Sequence, residues 1–366
     1  MAFKTTLEIY YEGKNITTHL AGSALGFTYT DNAGGKVDDI SFSLQDIDQK
    51  WISKWWPMKG DKIRPVIRKH DLATDTVSSL DCGTFSVDEV TFTGPPSVVE
   101  IKAVSSAAEL AIRRERVSKA WENIKLSSIA KDVAAKGGLK LFFDSPVDPV
   151  FTRKDQSDQT DLAFLQSLCD TCALNLKVTD TQLVIYSEAK YEAKAHIRTI
   201  SRTGGAVEHY SFTSQTHETY EGCTVDYMDP KTFQSVSKTF TSSGTEVHGG
   251  DPASSGQRAY DPKTFRYLED LKGKKAKKNK HLKSKKTATS EAEAERLAKA
   301  ELRKHNKKGS TCNLTLVGDT GLVAGVTIKL TDFGKFDGIY LVDKATHNVQ
   351  NNYTVDLEMH RKLEGY

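Results

Sequence analysis

No run of about 18 consecutive apolar residues occurs in this chain, so the simplest helical membrane span is excluded and no membrane insertion is expected. The opening segment Met1–Tyr10, MAFKTTLEIY, has neither the basic head nor the apolar stretch of a secretory leader. A product that stays in the cytoplasm where it is made is the expectation. Cysteine is sparse. Cys82, Cys169, Cys172, Cys223 and Cys312 form an odd set spread over separate segments, which is not the even framework of a disulfide-stapled domain, and reduced thiols are expected.

Catalytic signatures are also missing. There is no HExxH, no GxSxG, no GxxxxGK[ST], and no GxGxxG after a strand, so metal-dependent hydrolysis, nucleophilic hydrolysis and nucleotide binding lack support. Cys169-Asp-Thr-Cys172 is a CxxC, but redox or zinc use needs an exposed, electropositive thiol or a second ligand pair, and both cysteines fall on the apolar face of a predicted helix. They read as core thiols. His248-Gly-Gly-Asp251 lies in a Gly-rich stretch and reads as a loop histidine. No catalytic, cofactor-binding or metal-ligating residue is therefore assigned, and neither a cofactor nor a small-molecule substrate is expected. A carboxylate pair for glycoside cleavage is defined by spatial separation, which sequence does not give. A cell-wall-acting hydrolase or glycan-binding module accordingly stays open as the alternative to a structural role.

What is present is 366 residues with 38% hydrophobic content, enough for two or more domains around ordinary cores. The net charge of +3 is unevenly spread. Lys272–Lys286 carries nine lysines and no acid, so the rest of the chain sums to 3 − 9 = −6. Like charges at this density repel, and the run is expected to be a solvated surface loop. It lacks interleaved aromatics, which argues against a stacking site for single strands, while backbone contact with DNA stays open.

The first hundred residues alternate with period two in Thr6–Tyr11, Leu25–Thr30, Ile40–Leu44 and Ile63–Arg68, separated by Glu12-Gly13, Asp31–Gly35 and Pro57–Asp61 turns. Gly83–Phe92, a Gly94-Pro95-Pro96 turn and Val98–Val104 complete what reads as an antiparallel barrel. Trp51, Trp55 and Trp56, at helical spacing before Pro57, are expected to plug the barrel end, buried against the sheet or a neighbouring subunit, in preference to forming a ligand-stacking platform.

From about Ala107 the period becomes helical. Ile129, Ala130, Val133 and Ala134 share one face, with Gly137-Gly138 as the stop. Thr160 is a candidate N-cap for a helix carrying Leu162, Leu165, Leu168, Cys169 and Cys172. Strands return at Leu174–Val178 and Gln182–Tyr186, then at Ala195–Thr199, Tyr210–Thr213, Glu221–Met228 and Phe233–Thr239. Thr241–Gly256 and the lysine run bracket a predicted loop or partly mobile insertion. Ser290 and Glu293 stand in capping-box spacing before a helix with Ala294, Leu297, Ala298 and Leu302 on one stripe. In the final strand Tyr353, Val355, Leu357 and Met359 share one face, and Thr354, Asp356, Glu358 and His360 the other.

The most informative feature is internal. GTFSVDEVTF (Gly83–Phe92) and GIYLVDKATH (Gly338–His347) coincide at Gly83/Gly338, Val87/Val342, Asp88/Asp343 and Thr91/Thr346. Each is preceded by a Gly-containing turn and an apolar strand, Gly60-Asp61 before Ile63 and Gly325 before Val326. Each is followed by an alternating strand, Val98–Val104 and Tyr353–His360. The shared order predicts a duplicated barrel in preference to generic β patterning.

The block DISFSLQD…W…WWPMKGDKI (Asp39–Ile63), GTFSVDEV with its GPP turn, TDLAFLQSLCDTCALNLKV (Thr160–Val178) and the ending TLVGDTG…DLEMHR (Thr315–Arg361) resemble, in that order, the phage late control gene D protein family. That family is the baseplate hub of contractile tails and is similar to the first part of VgrG proteins of type VI secretion. The resemblance spans essentially the whole chain, apart from the lysine-rich insertion. It implies a mainly β fold with α+β insertions: a tube-like barrel at 1–106, a small α/β domain at 107–190, a second tube-like barrel from 191–240 and 309–366, and an insertion at 241–308. It further implies a non-enzymatic homotrimeric ring joining a sixfold tail tube to a central spike. The implied partners are the tube protein, the spike protein and baseplate and tape-measure components, within a virion or tail-like particle assembled in the bacterial cytoplasm.

Overall fold

The computed structural model describes residues 3–20, 23–106, 111–215, 219–228, 235–241, 259–261, 266–268, 281–286, 288 and 290–365. The chain opens with β1 (Phe3–Tyr11), β2 (Lys14–Asn15), α1 (Thr17–Leu20), β3 (Ala24–Asn32), β4 (Asp39–Gln45), β5 (Lys62–Asp71), β6 (Thr76–Asp81), β7 (Phe85–Thr93) and β8 (Val98–Ser105). Next come α2 (Ala111–Arg114), β9 (Arg116–Lys125), α3 (Leu126–Lys136), β10 (Lys140–Asp144), β11 (Val150–Thr160), α4 (Asp161–Thr171), β12 (Leu174–Val178), β13 (Gln182–Ser187) and α5 (Glu188–Glu192). The remainder is β14 (Arg198–Ser201), β15 (Val207–Ser214), β16 (Gly222–Met228), β17 (Ser235–Thr241), β18 (Ala259–Asp261), β19 (Arg266–Leu268), β20 (His281–Lys283), α6 (Glu291–Asn306), β21 (Ser310–Val317), β22 (Thr327–Thr331), β23 (Gly338–Val349) and β24 (Tyr353–Arg361). The protein is thus mainly antiparallel β with helical insertions, as its alternating patterns predict.

Backbone contacts divide the chain into two units. The first comprises Met1–Asp170, Leu174–Ser211 and Cys312–Met359. It is organised around a 14-stranded sheet of order β15-β21-β24-β23-β3-β4-β8-β7-β5-β1-β2, with β14, β22 and β6 branching from it. Period-two alternation sets which residues enter the core: Ile40, Phe42 and Leu44 of β4, and Val99, Ile101 and Ala103 of β8, are buried on one face. The register Asp39↔Val104 to Gln45↔Val98 brings these six together, with Phe42 directly opposite Ile101. The final strand behaves likewise, with Tyr353, Val355, Leu357 and Met359 buried. His360, expected on the outer face, is also buried at the strand's end, where alternation breaks down.

Between the two halves of the large sheet the chain forms a three-stranded sheet, order β10-β13-β12, with β10 parallel and β12 antiparallel to β13. Leu126, Ile129, Ala130, Val133 and Ala134 of α3 and Leu162, Phe164, Leu165, Leu168 and Cys169 of α4 supply its buried helical residues. The predicted N-cap is present: the Thr160 Oγ1 accepts the Ala163 amide at 3.2 Å. A long antiparallel pair, β9 with β11, has no counterpart among the strands read from sequence. Burial explains why. Of these 21 positions only Trp121, Phe151 and Gln156 are buried, so the segments carry almost no alternating apolar signal.

The second unit comprises Thr171–Ala173, Phe212–Thr311 and His360–Tyr366. In it β16 pairs antiparallel with β17 and parallel with β20. Cys223 and Val225 of β16 pack with Ala288 and with Ala294, Leu297, Ala298 and Leu302 of α6, flanked by Tyr220, Tyr227, Phe240 and Leu282. Residues 222–241, grouped by the sequence reading with a second barrel, here pair with 281–283 and share their core with α6. The helix starts as its capping box predicts, with the Ser290 hydroxyl accepting the Glu293 amide at 3.3 Å. It ends at Asn306, whose side chain accepts from the Tyr220 amide and donates to the Tyr220 carbonyl, both at 2.8 Å.

Candidate assembly surface

The repeated decapeptides occupy equivalent places in the first unit. The first lies in and before β7, between β5 and β8, and the second forms most of β23, beside β22 and β24. The equivalence extends to single hydrogen bonds. The Gly60 amide donates to the Val87 carbonyl at 2.8 Å and the Val87 amide to the Asp61 carbonyl at 2.9 Å. In the second copy the Gly325 amide donates to the Val342 carbonyl at 2.8 Å and the Val342 amide to the Val326 carbonyl at 2.9 Å. Gly60 and Gly325 both hold positive φ, +92° and +84°, a backbone state that side chains with a Cβ rarely adopt. That requirement is the physical reason a glycine precedes each apolar strand. The two halves of the sheet therefore repeat a strand unit and not merely a composition.

The copies diverge at their last position. In the second, His347 is fully buried between Tyr29 and Tyr353, at centroid distances of 5.8 and 5.9 Å, with Nδ1 2.8 Å from the Tyr353 hydroxyl. Burial lowers its pKa to about 4. In the first copy the corresponding residue is Phe92, and it stacks against Trp56 at 5.2 Å with an interplanar angle of 15°.

Trp56 belongs to the connection between β4 and β5, which the structure holds at several points. Asp46, itself buried, accepts the Trp51 amide at 3.1 Å and the Ile52 amide at 3.2 Å. Asp61 accepts the Met58 amide at 2.9 Å and the Tyr11 hydroxyl. On this frame Trp51 is buried, while Trp55 meets it edge-on at 5.7 Å. Of the three tryptophans expected to be buried against the sheet or a neighbouring subunit, only Trp51 is buried within this chain. Trp55 and Trp56 stand 39% and 52% exposed, beside Ile47 at 73%, Ile52 at 54% and Met58 at 64%. Five large apolar side chains are thus exposed on one tethered connection of the first unit, which makes it the candidate surface for a contact.

The remaining sequence candidates are placed as follows. Cys169 is fully buried in α4, and Cys172, just past the helix end, is only half-buried, since the helical face that carries Cys169 stops at Thr171. Burial pushes the Cys223 thiol up to about 11 and the Cys312 thiol up to about 12, and raises Cys82 as well, which favours the protonated thiol. His248 and Asp251 lie outside the described residues, as do Lys272–Lys280. The end of the lysine run is described: Lys283 pairs with Asp226 at 3.2 Å and Lys286 with Glu301 at 2.8 Å. Among the described residues no helix is long and apolar enough to cross a membrane.

A repeated β unit with helical insertions and a fixed aromatic surface defines a protein of the assembly class. The sequence matches the family of phage tail baseplate hub (GPD) proteins over residues 97–353, and the chain belongs to that family. It is 24% identical to a probable baseplate hub protein of Escherichia phage 186 over 99% of this chain and 93% of the relative. Its fold matches the 43 kDa tail protein of prophage MuSo2 from Shewanella oneidensis with a TM-score of 0.66 at 14% identity, covering 97% of this chain and 98% of that one. It also matches, with a TM-score of 0.54 at 11% identity over 94% of this chain and 75% of the other, the E. coli c3393 protein, a type VI secretion component described as structurally similar to T4 bacteriophage tail proteins gp27 and gp5. The chain is a structural baseplate hub of the phage tail type, and its place is the baseplate of a virion or tail-like particle.

Proposed function

We propose that this hub works as a homotrimeric ring between the sixfold tail tube and a central spike, without enzymatic activity. The repeat carries the reading. Two hydrogen-bond-equivalent strand units per subunit give six in a trimer, so a threefold ring offers a sixfold tube one unit per tube subunit. On this reading the strand units belong to two tube-like barrels, the first within 1–106 and the second drawn from 198–214 and 310–361, while 222–241 pack with α6 instead. The 107–190 α/β domain and the 241–308 insertion stand outside them. The exposed apolar connection Ile47–Met58 is the contact made with the next copy in the ring, because a ring closed by rotation places one surface of each subunit against a different surface of its neighbour.

Tube protein, spike protein and neighbouring baseplate and tape-measure components are the partners, met during assembly in the bacterial cytoplasm. The lysine-rich sequence is expected to be a solvated loop, and any partner it takes is an acidic surface of one of them, or DNA, in an association that weakens steeply with salt. Light scattering of the purified chain over a range of concentrations, with and without the spike protein, tests the ring. A trimer in either condition is expected. A monomer throughout, or an even-numbered assembly, overturns it.

A further inference from the structure

Three charged side chains of the first unit meet largely out of solvent, where the tip between β3 and β4 is seated on the α/β sheet. The Lys177 Nζ of β12 donates to the Asp31 Oδ1 of β3 and lies 3.2 Å from the Asp38 Oδ2. The lysine, Asp31 and Asp38 side chains are 18%, 6% and 12% exposed. Backbone contacts fix the approach. The Gly35 amide donates to the Leu176 carbonyl at 3.3 Å, and a Cβ on Gly34 would stand 3.0 Å from that same oxygen. The Tyr186 hydroxyl donates to the Ala33 carbonyl at 2.9 Å. An amine and a carboxyl group held in contact by a fixed frame react as if at very high concentration.

The surroundings exceed what a simple ion pair needs. Two carboxylates converge on one nitrogen, and each is oriented by a backbone amide: Ala324 donates to Asp31 Oδ2 and Asn32 to Asp38 Oδ1, both at 2.8 Å. The Ala324 amide thus sits on the Asp31 oxygen that Lys177 does not touch, where a fixed donor stabilises the negative charge that develops when the carboxyl carbon is attacked. Burial works against the Lys177 ammonium, but Asp31 and Asp38 outweigh it and raise its pKa, so the resting cluster is an ammonium between carboxylates. Burial raises the Asp38 carboxyl to about 6, which lets Asp38 take up a proton and return it near neutral pH.

We propose that Lys177 and Asp31 become joined by an isopeptide bond, with Asp38 as the group that carries the protons. The Lys177 ammonium passes one proton to Asp38, and the neutral amine attacks the side-chain carbon of Asp31. Asp38 hands that proton to Oδ1, while the charge on Oδ2 rests on the Ala324 amide. A second proton then leaves the nitrogen through Asp38 for Oδ1, which departs as water. The C–N bond forms, the C–Oδ1 bond breaks, ammonium and carboxylate become amide and water, and Asp38 ends as it began. No oxidant, cofactor or second molecule is consumed. The low exposure of the three groups keeps water from reversing the step. The bond links β3 to β12, 146 positions apart in the chain, and so ties the large sheet covalently to the α/β sheet.

The test is the intact mass of the purified full chain under denaturing, reducing conditions, followed by protease digestion. The wild type is expected to be lighter than its sequence by one water, and digestion should yield a branched peptide holding residues 31 and 177 together. Lys177→Ala and Asp38→Asn should each keep the full sequence mass. Asp38→Asn preserves side-chain shape and leaves both reacting groups in the chain, so its failure to lose water identifies the proton carrier. A wild-type chain that melts cooperatively yet has its full sequence mass overturns the bond. A loss of water that digestion places elsewhere, or that persists in Lys177→Ala, overturns it equally, and dehydration of Asp38→Asn to the wild-type extent overturns the part given to Asp38. Because the mass is read on the isolated chain, the outcome is independent of the ring.

Discussion

His347, Tyr353 and Gly318 form a cluster in which each residue's identity has a physical cause. The Gly318 amide donates to the Tyr353 carbonyl at 2.8 Å, and a Cβ at Gly318 would come within 2.0 Å of the buried Tyr353 ring. The ring is 2% exposed and bonded to His347, so it has nowhere to move. Gly318→Ala should therefore cost about 1–3 kcal/mol by overpacking, read as a lower denaturant midpoint at unchanged slope, and a neutral variant would show that the ring shifts freely. His347 makes a prediction about pH. Unfolded, its imidazole takes a proton near 6.5, whereas in the fold it does so only near 4. Between those values the unfolded chain binds more protons, so this contribution to stability is complete above pH 6.5 and is lost as pH falls toward 4, by roughly 3 kcal/mol. Asp38 acts in the opposite sense, because burial raises its carboxyl to about 6 and its contribution declines as pH rises from 3.8 through that value. Comparing wild type with His347→Gln removes the shared Asp38 effect. The wild type should lose stability more steeply between pH 6.5 and 4, and parallel profiles would dismiss the buried histidine as the cause.

At the scale of elements, the lysine run separates into two parts with different expected roles. Lys272–Lys280 precedes the strand β20, in which Leu282 joins the α6 core and pairs opposite Cys223. Lys286 then reaches Glu301 of α6. Excising Lys272–Lys280 should leave the melting temperature of the isolated chain unchanged, whereas extending the excision through Lys286 should lower it sharply by removing a core residue and a strand pairing. A large fall after the shorter excision would make the whole run structural. The sequence contains only part of this distinction: a lone Leu282 among nine lysines does not show periodicity, so β20 is invisible to pattern while α6, with a capping box and four apolar residues on one stripe, is plain. The same contrast holds elsewhere. β4, β8 and β24 bury alternate residues and are legible, whereas β9 and β11 expose both faces and are not. The aromatic connection was legible as a cluster of three tryptophans, but the separation of one buried ring from two exposed ones depends on which amides Asp46 binds, a matter of three-dimensional position.

For the whole molecule, the question is how a chain of this family is held in an assembly, and the exposed aromatics give the most direct answer. Burying a tryptophan at an interface removes a large apolar area while leaving few rotatable bonds to immobilise, which is why such residues dominate binding energy at the centres of contacts. Here the rings are already fixed before any partner arrives: Trp56 lies on Phe92, and Trp55 packs against Trp51 and within 6.0 Å of His19, with Lys50 5.4 Å from its ring. Little further ordering cost remains to be met on association. Under the proposed ring, replacing both Trp55 and Trp56 by Ser should leave the melting temperature of the isolated chain within a few degrees of wild type, because both side chains are substantially exposed. Self-association should weaken by at least about thirtyfold, the equivalent of some 2 kcal/mol for loss of an interfacial anchor. Trp51→Ala should behave in the reverse manner, costing about 3–5 kcal/mol of folding stability through its buried ring. Light scattering and thermal melting on the same preparations separate the two effects. If the Trp55/Trp56 variant assembles as the wild type does, this surface is not the contact between copies, and the aromatic connection must instead meet a different component of the tail.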